Sequence, residues 1–198
     1  GRRPAPRAGT AAAPAACARS AVMKLIFLDL DGVLVTRRPG VFEERLLRNL
    51  QGVVQRTGAD VVLSSDWRRH PSAREEARRM LATAGLQIIG CTPCLSAYLA
   101  QRPTEILQWL EEFDRRPGAD LDPVTHWVVL DDRPLLGERH GSCLRGHFVQ
   151  THPRLGLTER DAEACVAVLT EALAPAAEGF ESPWAPAGCG TRDRRAPS

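Results

Sequence analysis

The stretch LIFLDLDGVL, residues 25–34, joins an apolar run to two aspartates and a glycine. A short apolar run that stops at turn-forming residues is typical of a buried strand in a parallel sheet. Asp29 and Asp31 stand one residue apart where this strand ends, and Gly32 follows. The pattern has two interpretations, a local Asp-x-Asp-Gly turn or a site of carboxylate chemistry.

Composition places the chain among ordinary globular proteins. Its 198 residues suit one domain, and 43% hydrophobic residues, 25% charged residues and a formal net charge of +2 do not by themselves indicate nucleic-acid binding. No run of eighteen apolar residues and no signal-peptide core is present, so we expect no membrane partner and a cytoplasmic location. Six irregularly spaced cysteines predict free thiols.

Both ends of the chain differ in composition from its centre. Residues 1–22 are rich in Ala and Pro and carry four arginines but no acidic residue, which predicts a disordered or targeting tail. A transit peptide directing the protein to an organelle is one alternative. The proline-bearing residues 175–198 predict a second disordered tail, which leaves 23–174 as the folded domain.

Between the tails, strand-length apolar runs alternate with segments of helical period. This order predicts an α/β fold, a three-layer Rossmann-like parallel sheet with helices on both faces. The expected strands are 24–29, 60–64, 86–89, 126–130 and 147–150, and the expected helices are 42–56, 71–84, 103–115 and 158–173. The last helix begins TERD, a variant of the capping box, and should bury Cys165, Leu169 and Leu173.

Polar residues stand at the ends of three expected strands. Besides Asp29 and Asp31, they are Ser64 and Ser65 in VVLSSDWR and Asp131 and Asp132 in WVVLDDRP. Each pair alone can be a turn or a helix N-cap. Ligands of parallel sheets bind beyond the carboxyl ends of the strands, however, and three such pairs in order favour one shared site.

Four segments, FLDLDG, VLSS, RPTEI and VLDDR, resemble motifs I to IV of the haloacid dehalogenase (HAD) superfamily of phosphohydrolases, in their usual order. The resemblance covers residues 24–173. More narrowly, LSSDWR, TP at 92–93, RPTEILQWL, VVLDDR and GLT at 156–158 resemble the HAD phosphatase domain first described in Swiss Army Knife RNA repair proteins.

This resemblance implies roles for the aspartates of the opening stretch. Asp29 would attack phosphorus and form an aspartyl-phosphate, while Asp31 would protonate the leaving oxygen and later activate water. One carboxylate cannot be covalently occupied and also move the proton, which accounts for the pair. Gly32 would let the backbone turn away without a side chain crowding the phosphate.

Carboxylates that face a phosphate dianion require a hard cation, and Mg²⁺ suits carboxylates, phosphate oxygen and water. The family pattern implies Asp29 and the backbone carbonyl of Asp31 as ligands. Asp132 is the favoured third ligand, with Asp131 in support, although the sequence leaves the choice between these two open.

The remaining motif residues would handle the phosphoryl group. Ser64 would donate to a phosphoryl oxygen, with Ser65 as the second candidate and a simple turn cap as the alternative. Arg102 stands where the superfamily usually has lysine and would supply the cation. Arg68 could line the substrate entrance or be a solvated surface residue, and Trp67 is expected to pack.

A rival interpretation concerns the CTPC segment. Cys91 and Cys94 have the spacing of a zinc or redox pair, and Cys143 and His147 could add ligands. No second Cys-x-x-Cys exists, and the pair does not follow the first strand, so we expect no zinc site.

The intervals between motifs also bear on function. In this superfamily small-molecule specificity usually comes from an inserted cap domain, and neither 32–63 nor 65–101 has room for one. We therefore expect an open site that hydrolyses phosphomonoesters on a macromolecule, such as RNA or DNA ends. The alternatives are a phosphotransferase and a non-catalytic binding or regulatory module that retains the fold.

Overall fold

The computed structural model describes residues 22–115 and 123–171. The expected tails lie outside this part of the chain, apart from Val22, and so does Leu173. The domain boundaries therefore stay predictions. No helix in the described part is long and apolar enough to cross a membrane; the cytoplasmic location stays a prediction.

In the described ranges, five strands form one sheet, in which every pairing is parallel. They are Met23–Leu28 (β1), Asp60–Leu63 (β2), Ile88–Cys91 (β3), Val124–Asp131 (β4) and Phe148–Gln150 (β5). The spatial order is β3-β2-β1-β4-β5. The expected α/β class is confirmed, and β1, which carries the opening stretch, lies at the centre.

The third strand is displaced from its expected position. We expected 86–89, but β3 begins at Ile88 and continues to Cys91. Leu86 is buried, yet its backbone N–H donates to the carbonyl of Leu81 and so closes the preceding helix. In the sequence pattern, Leu86 was therefore assigned to the start of the strand although it packs beneath the end of the helix.

The described residues contain four α-helices, close to where the sequence predicted them; the first three connect strands and the fourth follows β5. They are Glu44–Thr57 (α1), Pro71–Thr83 (α2), Arg102–Asp114 (α3) and Glu159–Thr170 (α4). Thr158 and Asp161 form the expected capping box of α4. The described part of the chain also has three short 3₁₀ helices that were not predicted, Asp66–Arg69, Leu135–Gly137 and Gly141–Leu144.

The helices cover both faces of the sheet and give three layers. Ile26 and Leu28 of β1 belong to the core on the side of α1, α2 and α4, where Leu46, Leu81 and Leu169 are fully buried. Leu25 and Phe27 belong to the opposite core, built with Ile106, Trp109 and Leu110 of α3. Successive strand residues point to opposite faces, which is why an unbroken apolar run suits β1.

Neither interval between motifs contains a cap domain. Between β1 and β2 the chain forms a tight turn, a short loop and α1, and between β2 and α3 it forms one 3₁₀ helix, α2, β3 and a loop. The expected absence of a cap is thus confirmed. Among the described residues, loops that follow the strands lie at the carboxyl edge of the sheet, and no inserted domain covers it.

Candidate active site

Three strands bring their polar ends together. Leu28 of β1 is in register with Leu63 of β2 and Leu130 of β4, so Asp29, Ser64 and Asp131 are the next residues on adjacent strands. The Asp29 N–H donates to the carbonyl of Leu130, and the Ser64 N–H donates to that of Leu28, both at 2.9 Å. Strand pairing therefore positions the backbone of the site.

Arg102, the first residue of α3, provides the cation of the site. Its side chain is 1% exposed, and its Nη1 lies 3.2 Å from Asp29 Oδ1 and 3.2 Å from Asp131 Oδ2. The same nitrogen lies 3.5 Å from Ser64 Oγ. Burial lowers the pKa of Arg102, but the surrounding carboxylates raise it overall. An arginine thus replaces the usual lysine and remains charged.

Carboxylate oxygens of Asp29, Asp131 and Asp132 all lie within 4.8 Å of one another. Burial, followed by the nearby charge of Asp29, raises the pKa of Asp131 to about 7 and also raises that of Asp132. Asp131 Oδ2 is buried without a hydrogen-bond partner, since its contact with Arg102 lacks hydrogen-bond geometry. This cluster of hard oxygen donors with unbalanced negative charge fits a divalent cation such as Mg²⁺.

Gly32 allows Asp132 to approach the first motif. The glycine has φ +71°, and a Cβ at this position would lie 2.4 Å from Asp132 Cγ. The expectation that Gly32 avoids crowding a phosphate therefore changes, because the group it accommodates here is a carboxylate of the cluster. Its carbonyl accepts a hydrogen bond of 2.8 Å from Thr151 Oγ1, which fixes the turn to the end of β5.

Asp31 lies apart from the three clustered carboxylates and is exposed. Its Oδ2 accepts a hydrogen bond of 2.9 Å from Trp67 Nε1. Burial is the main cause that raises the pKa of Asp31; the Trp67 bond opposes it, and the charges of Asp29 and Asp66 add to it. The side chain of Asp31 is thus held at the open side of the site, and only its backbone carbonyl, as the resemblance implied, remains a candidate metal ligand.

Trp67 does more than the packing that was expected of it. Its ring does pack against Phe42, with centroids 6.0 Å apart, but its indole N–H orients Asp31. The sequence places Trp67 directly after the second motif, yet nothing in the pattern indicates that its nitrogen reaches a residue 36 positions away.

Arg68 lies beneath the site and not at its entrance. The side chain is 1% exposed. It donates to the carbonyls of Ser64, Ser65, Thr92 and Pro93 and to the carboxylate of Glu105. The expectation of a solvated or substrate-lining arginine is therefore corrected: Arg68 ties the loops after β2 and β3 to α3.

Ser65 caps a turn, which was the alternative to phosphate binding. It is fully buried, and its Oγ accepts from the backbone N–H of Trp67, which caps the 3₁₀ helix Asp66–Arg69. Ser64 alone of the two serines contacts Arg102. Sequence analysis also missed Glu105, the buried partner of Arg68, and Asp66, whose Oδ1 lies 3.6 Å from Arg102 Nη2.

The cysteines of the described part are free, and none of them belongs to a group of three or more potential metal ligands there. Cys91, Cys94, Cys143 and Cys165 are all unpaired, as expected, while Cys17 and Cys189 lie outside the described residues. Within residues 22–115 and 123–171, the aspartates above form the only group of three or more potential ligands. His147 instead stacks on Trp127, with ring centroids 4.0 Å apart.

The order of the motifs and this geometry agree with one family of known proteins. A family model described as the HAD domain in Swiss Army Knife RNA repair proteins matches residues 25–162, more than half of the chain. The chain belongs to this family. Membership supports a HAD-type phosphohydrolase, a class that generally uses Mg²⁺. Comparisons with curated proteins and with solved structures gave no significant match.

Proposed function

We propose that this HAD domain is a Mg²⁺-dependent phosphomonoesterase that acts through an aspartyl-phosphate on terminal phosphates of nucleic acid. The observation that carries the proposal is the placement of Asp29. It is 5% exposed at the end of the central strand, its Oδ1 lies 3.2 Å from Arg102 Nη1, and its carboxylate clusters with those of Asp131 and Asp132.

The chain's own residues account for both halves of the reaction. Asp29 attacks phosphorus, so that a bond forms between its carboxylate oxygen and phosphorus while the ester bond breaks. Asp31 gives its proton to the leaving oxygen. Asp31 then takes a proton from water as that water attacks phosphorus, which releases phosphate and regenerates Asp29. Ser64 and Arg102 bind phosphoryl oxygens and hold the group in line.

The residues proposed to hold Mg²⁺ are Asp29, Asp132 and the backbone carbonyl of Asp31. Asp131 is assigned the supporting role because its Oδ1 accepts from the Arg133 N–H and its Oδ2 lies against Arg102. When bound, the ion would neutralise phosphate charge and stabilise the charge that develops in the transition state.

The proposed substrate class rests on the open edge of the sheet. A capless site encloses a small molecule poorly, so binding energy remote from phosphorus must come from surface around the rim. A large phosphorylated partner offers such contacts. A phosphotransferase would use the same residues with an alcohol in place of water, and a binding module would have no need for the Asp29 and Asp31 pair.

The test is a substrate panel with purified full-length protein. It compares kcat/KM for 5′- and 3′-phosphorylated oligonucleotides, a phosphopeptide, a sugar phosphate and an aryl phosphate. We expect an oligonucleotide end to be preferred. A sugar phosphate preferred by tenfold, about 1.4 kcal/mol in transition-state binding, contradicts the macromolecular substrate. Product analysis in added alcohol separates hydrolysis from phosphoryl transfer.

A further inference from the structure

A cavity of about 450 Å³ lies beside the candidate active site. It is bounded by the 3₁₀ helix Asp66–Arg69, the start of α2 and the loop 92–101. We call it the side cavity. Trp67, His70 and Tyr98 provide its ring-bearing walls, and Asp66 and Arg69 provide its charged ones. This volume falls within the range of small-ligand pockets in proteins.

The side cavity and the catalytic groups share a wall. Trp67 lines the cavity and donates to Asp31, and Asp66 lines it and lies 3.6 Å from Arg102 Nη2. A ligand in the cavity would therefore be separated from a phosphoryl group at Asp29 by the thickness of these two residues. If the occupant is part of the phosphorylated substrate, a spacer of about that thickness must join it to the phosphoryl group.

One wall has a buried hydrogen-bond donor without a partner. Arg69 Nε donates to Asp66 and its Nη1 donates to the carbonyl of Ser96. Arg69 Nη2 is buried, has no hydrogen-bond partner and lies 3.9 Å from Glu105 Oε1, which is beyond hydrogen-bond reach. Arg69 lines the cavity, so its guanidinium places positive charge at this wall, which is complementary to electronegative atoms at the edge of a ligand.

The other wall presents an uncovered aromatic ring. Tyr98 is 99% exposed, so its ring contributes little to the stability of the fold. Its neighbour Leu99 is 69% exposed. Aromatic side chains displayed beside a phosphate site are the means by which proteins stack unpaired bases, at about 1–3 kcal/mol per base.

We propose that the side cavity binds the base of the terminal nucleotide whose phosphate is removed. The inference rests on the proposed function, and it names the part of the substrate that is recognised. A nucleobase has flat faces for Trp67 and Tyr98 and electronegative edge atoms that complement the charge of Arg69, and the sugar supplies the required spacer. Phosphoserine has no ring, and the ring of phosphotyrosine is bonded directly to the ester oxygen.

Binding to an inactive form of the full chain tests this assignment. The Asp29→Asn protein is titrated, in Mg²⁺, against single-stranded oligonucleotides labelled at the far end and phosphorylated at the 5′ or the 3′ end. Matched oligonucleotides carry an abasic terminal nucleotide. At one end or the other we expect the base to tighten binding at least about fivefold, the equivalent of 1 kcal/mol of stacking.

Substitutions at Tyr98 then test the named wall. When Tyr98→Ala is combined with Asp29→Asn, the ratio of the affinity for the base-bearing end to that for the abasic end should fall toward one. Tyr98→Phe in the same background should retain the ratio, because the stacking face remains. The matched control is Ile89→Ala, since Ile89 is 42% exposed on β3 and does not line the cavity. This control should leave the ratio unchanged.

Three outcomes would overturn the assignment. They are equal affinity for base and abasic ends, a ratio that survives Tyr98→Ala, and a phosphopeptide that binds more tightly and depends on Tyr98. Failure of the proposed function is separately visible. If the wild-type protein hydrolyses aryl phosphate but binds base and abasic ends equally, the assignment of the side cavity is wrong and the proposed function stands. If binding depends on the base but no phosphate ester is hydrolysed, the proposed function is wrong and the assignment of the side cavity stands.

Discussion

Two buried arginines, 34 positions apart, lie close together under the carboxyl edge of the sheet and have opposite surroundings. Arg68 directs all three of its nitrogens to acceptors, four backbone carbonyls and Glu105. Arg102 faces the side chains of Asp29, Asp131 and Ser64, and its Nε is buried without a hydrogen-bond partner. The polar groups around Arg68 are therefore paired with one another. The groups around Arg102 are incompletely paired and remain able to interact with a ligand.

The difference shows how the loops at one edge of the sheet can contain both a residue that stabilises them and a residue available to bind a substrate. A buried arginine bonded to fixed carbonyls rigidifies the loops that carry it. An arginine that faces carboxylates and a hydroxyl, with one nitrogen unpaired, can transfer part of its interaction to an arriving phosphate. The raised pKa values of Asp131 and Asp132 come from burial and from Asp29, so negative charge around Arg102 remains incompletely balanced. Stability and function are thus assigned to different residues of adjacent motifs.

The largest expected effect comes from the proposed nucleophile. Asp29→Asn should lower kcat for an aryl phosphate by at least about 10⁴-fold, because an amide cannot form the aspartyl-phosphate. The free energy of unfolding should change by less than about 1 kcal/mol, because Arg102 keeps its contact with Asp131 and the repulsion between the clustered carboxylates falls. Phosphate labelling followed by mass spectrometry, with chemical denaturation, measures both quantities.

Two results would break this part of the comparison. Label retained by the Asp29→Asn protein would place the nucleophile elsewhere. A loss of several kcal/mol in unfolding free energy would show that Asp29 also holds the fold together. Asp31→Asn is the matched carboxylate change, and it should lower turnover while label still collects on Asp29.

Removal of the metal is the next largest expected effect. With EDTA, phosphate release from an aryl phosphate should fall at least about 10³-fold and recover with added Mg²⁺, because unneutralised carboxylates repel the substrate. Unfolding of the wild-type protein should shift to higher denaturant with Mg²⁺, and Asp132→Asn should weaken that shift. Full activity in EDTA contradicts the metal assignment.

The sequence predicts the fold and the polar residues at the strand ends well, because both depend on patterns within short segments of the chain. Apolar runs and polar strand ends are encoded within a few residues, and parallel register then brings Asp29, Ser64 and Asp131 together. Arg68 was assigned to the wrong surface, because its burial depends on carbonyls of Thr92 and Pro93, which follow another strand.

The same limit applies to the end of α2 and to Trp67. Leu86 closes α2 through a turn that apolar periodicity does not detect. The indole bond from Trp67 to Asp31 joins residues on loops that follow two different strands. Contacts between loops have no periodicity, so their partners cannot be read from one sequence.

Lysine substitutions at both arginines compare the two regions directly. Arg68→Lys should lower the unfolding free energy by at least about 2 kcal/mol, since one ammonium cannot satisfy the carbonyls that the guanidinium bonds. Arg102→Lys should cost less than about 1 kcal/mol and reduce kcat/KM no more than about tenfold, since one nitrogen, Nη1, lies within 3.5 Å of Asp29, Asp131 and Ser64 and an ammonium can take its place. Denaturation curves and aryl phosphate kinetics test both. Equal stability losses would remove the distinction.

The smallest expected effect concerns the tryptophan that borders both the active site and the side cavity. Trp67→Phe keeps a ring against Phe42 but removes the indole donor to Asp31. The indole bond is stronger to the ionised carboxylate that forms as Asp31 gives its proton to the leaving oxygen, and a hydrogen bond to a charged group contributes at least about 1.5 kcal/mol, so kcat should fall about tenfold. The unfolding midpoint should stay near that of the wild type, because Asp31 is exposed and water can replace the lost donor. The assay uses an oligonucleotide with an abasic phosphorylated end, which excludes any contribution from base stacking. An unchanged kcat with a raised KM would show that Trp67 only shapes the substrate surface, and Asp31 would then act without the orientation that the indole provides.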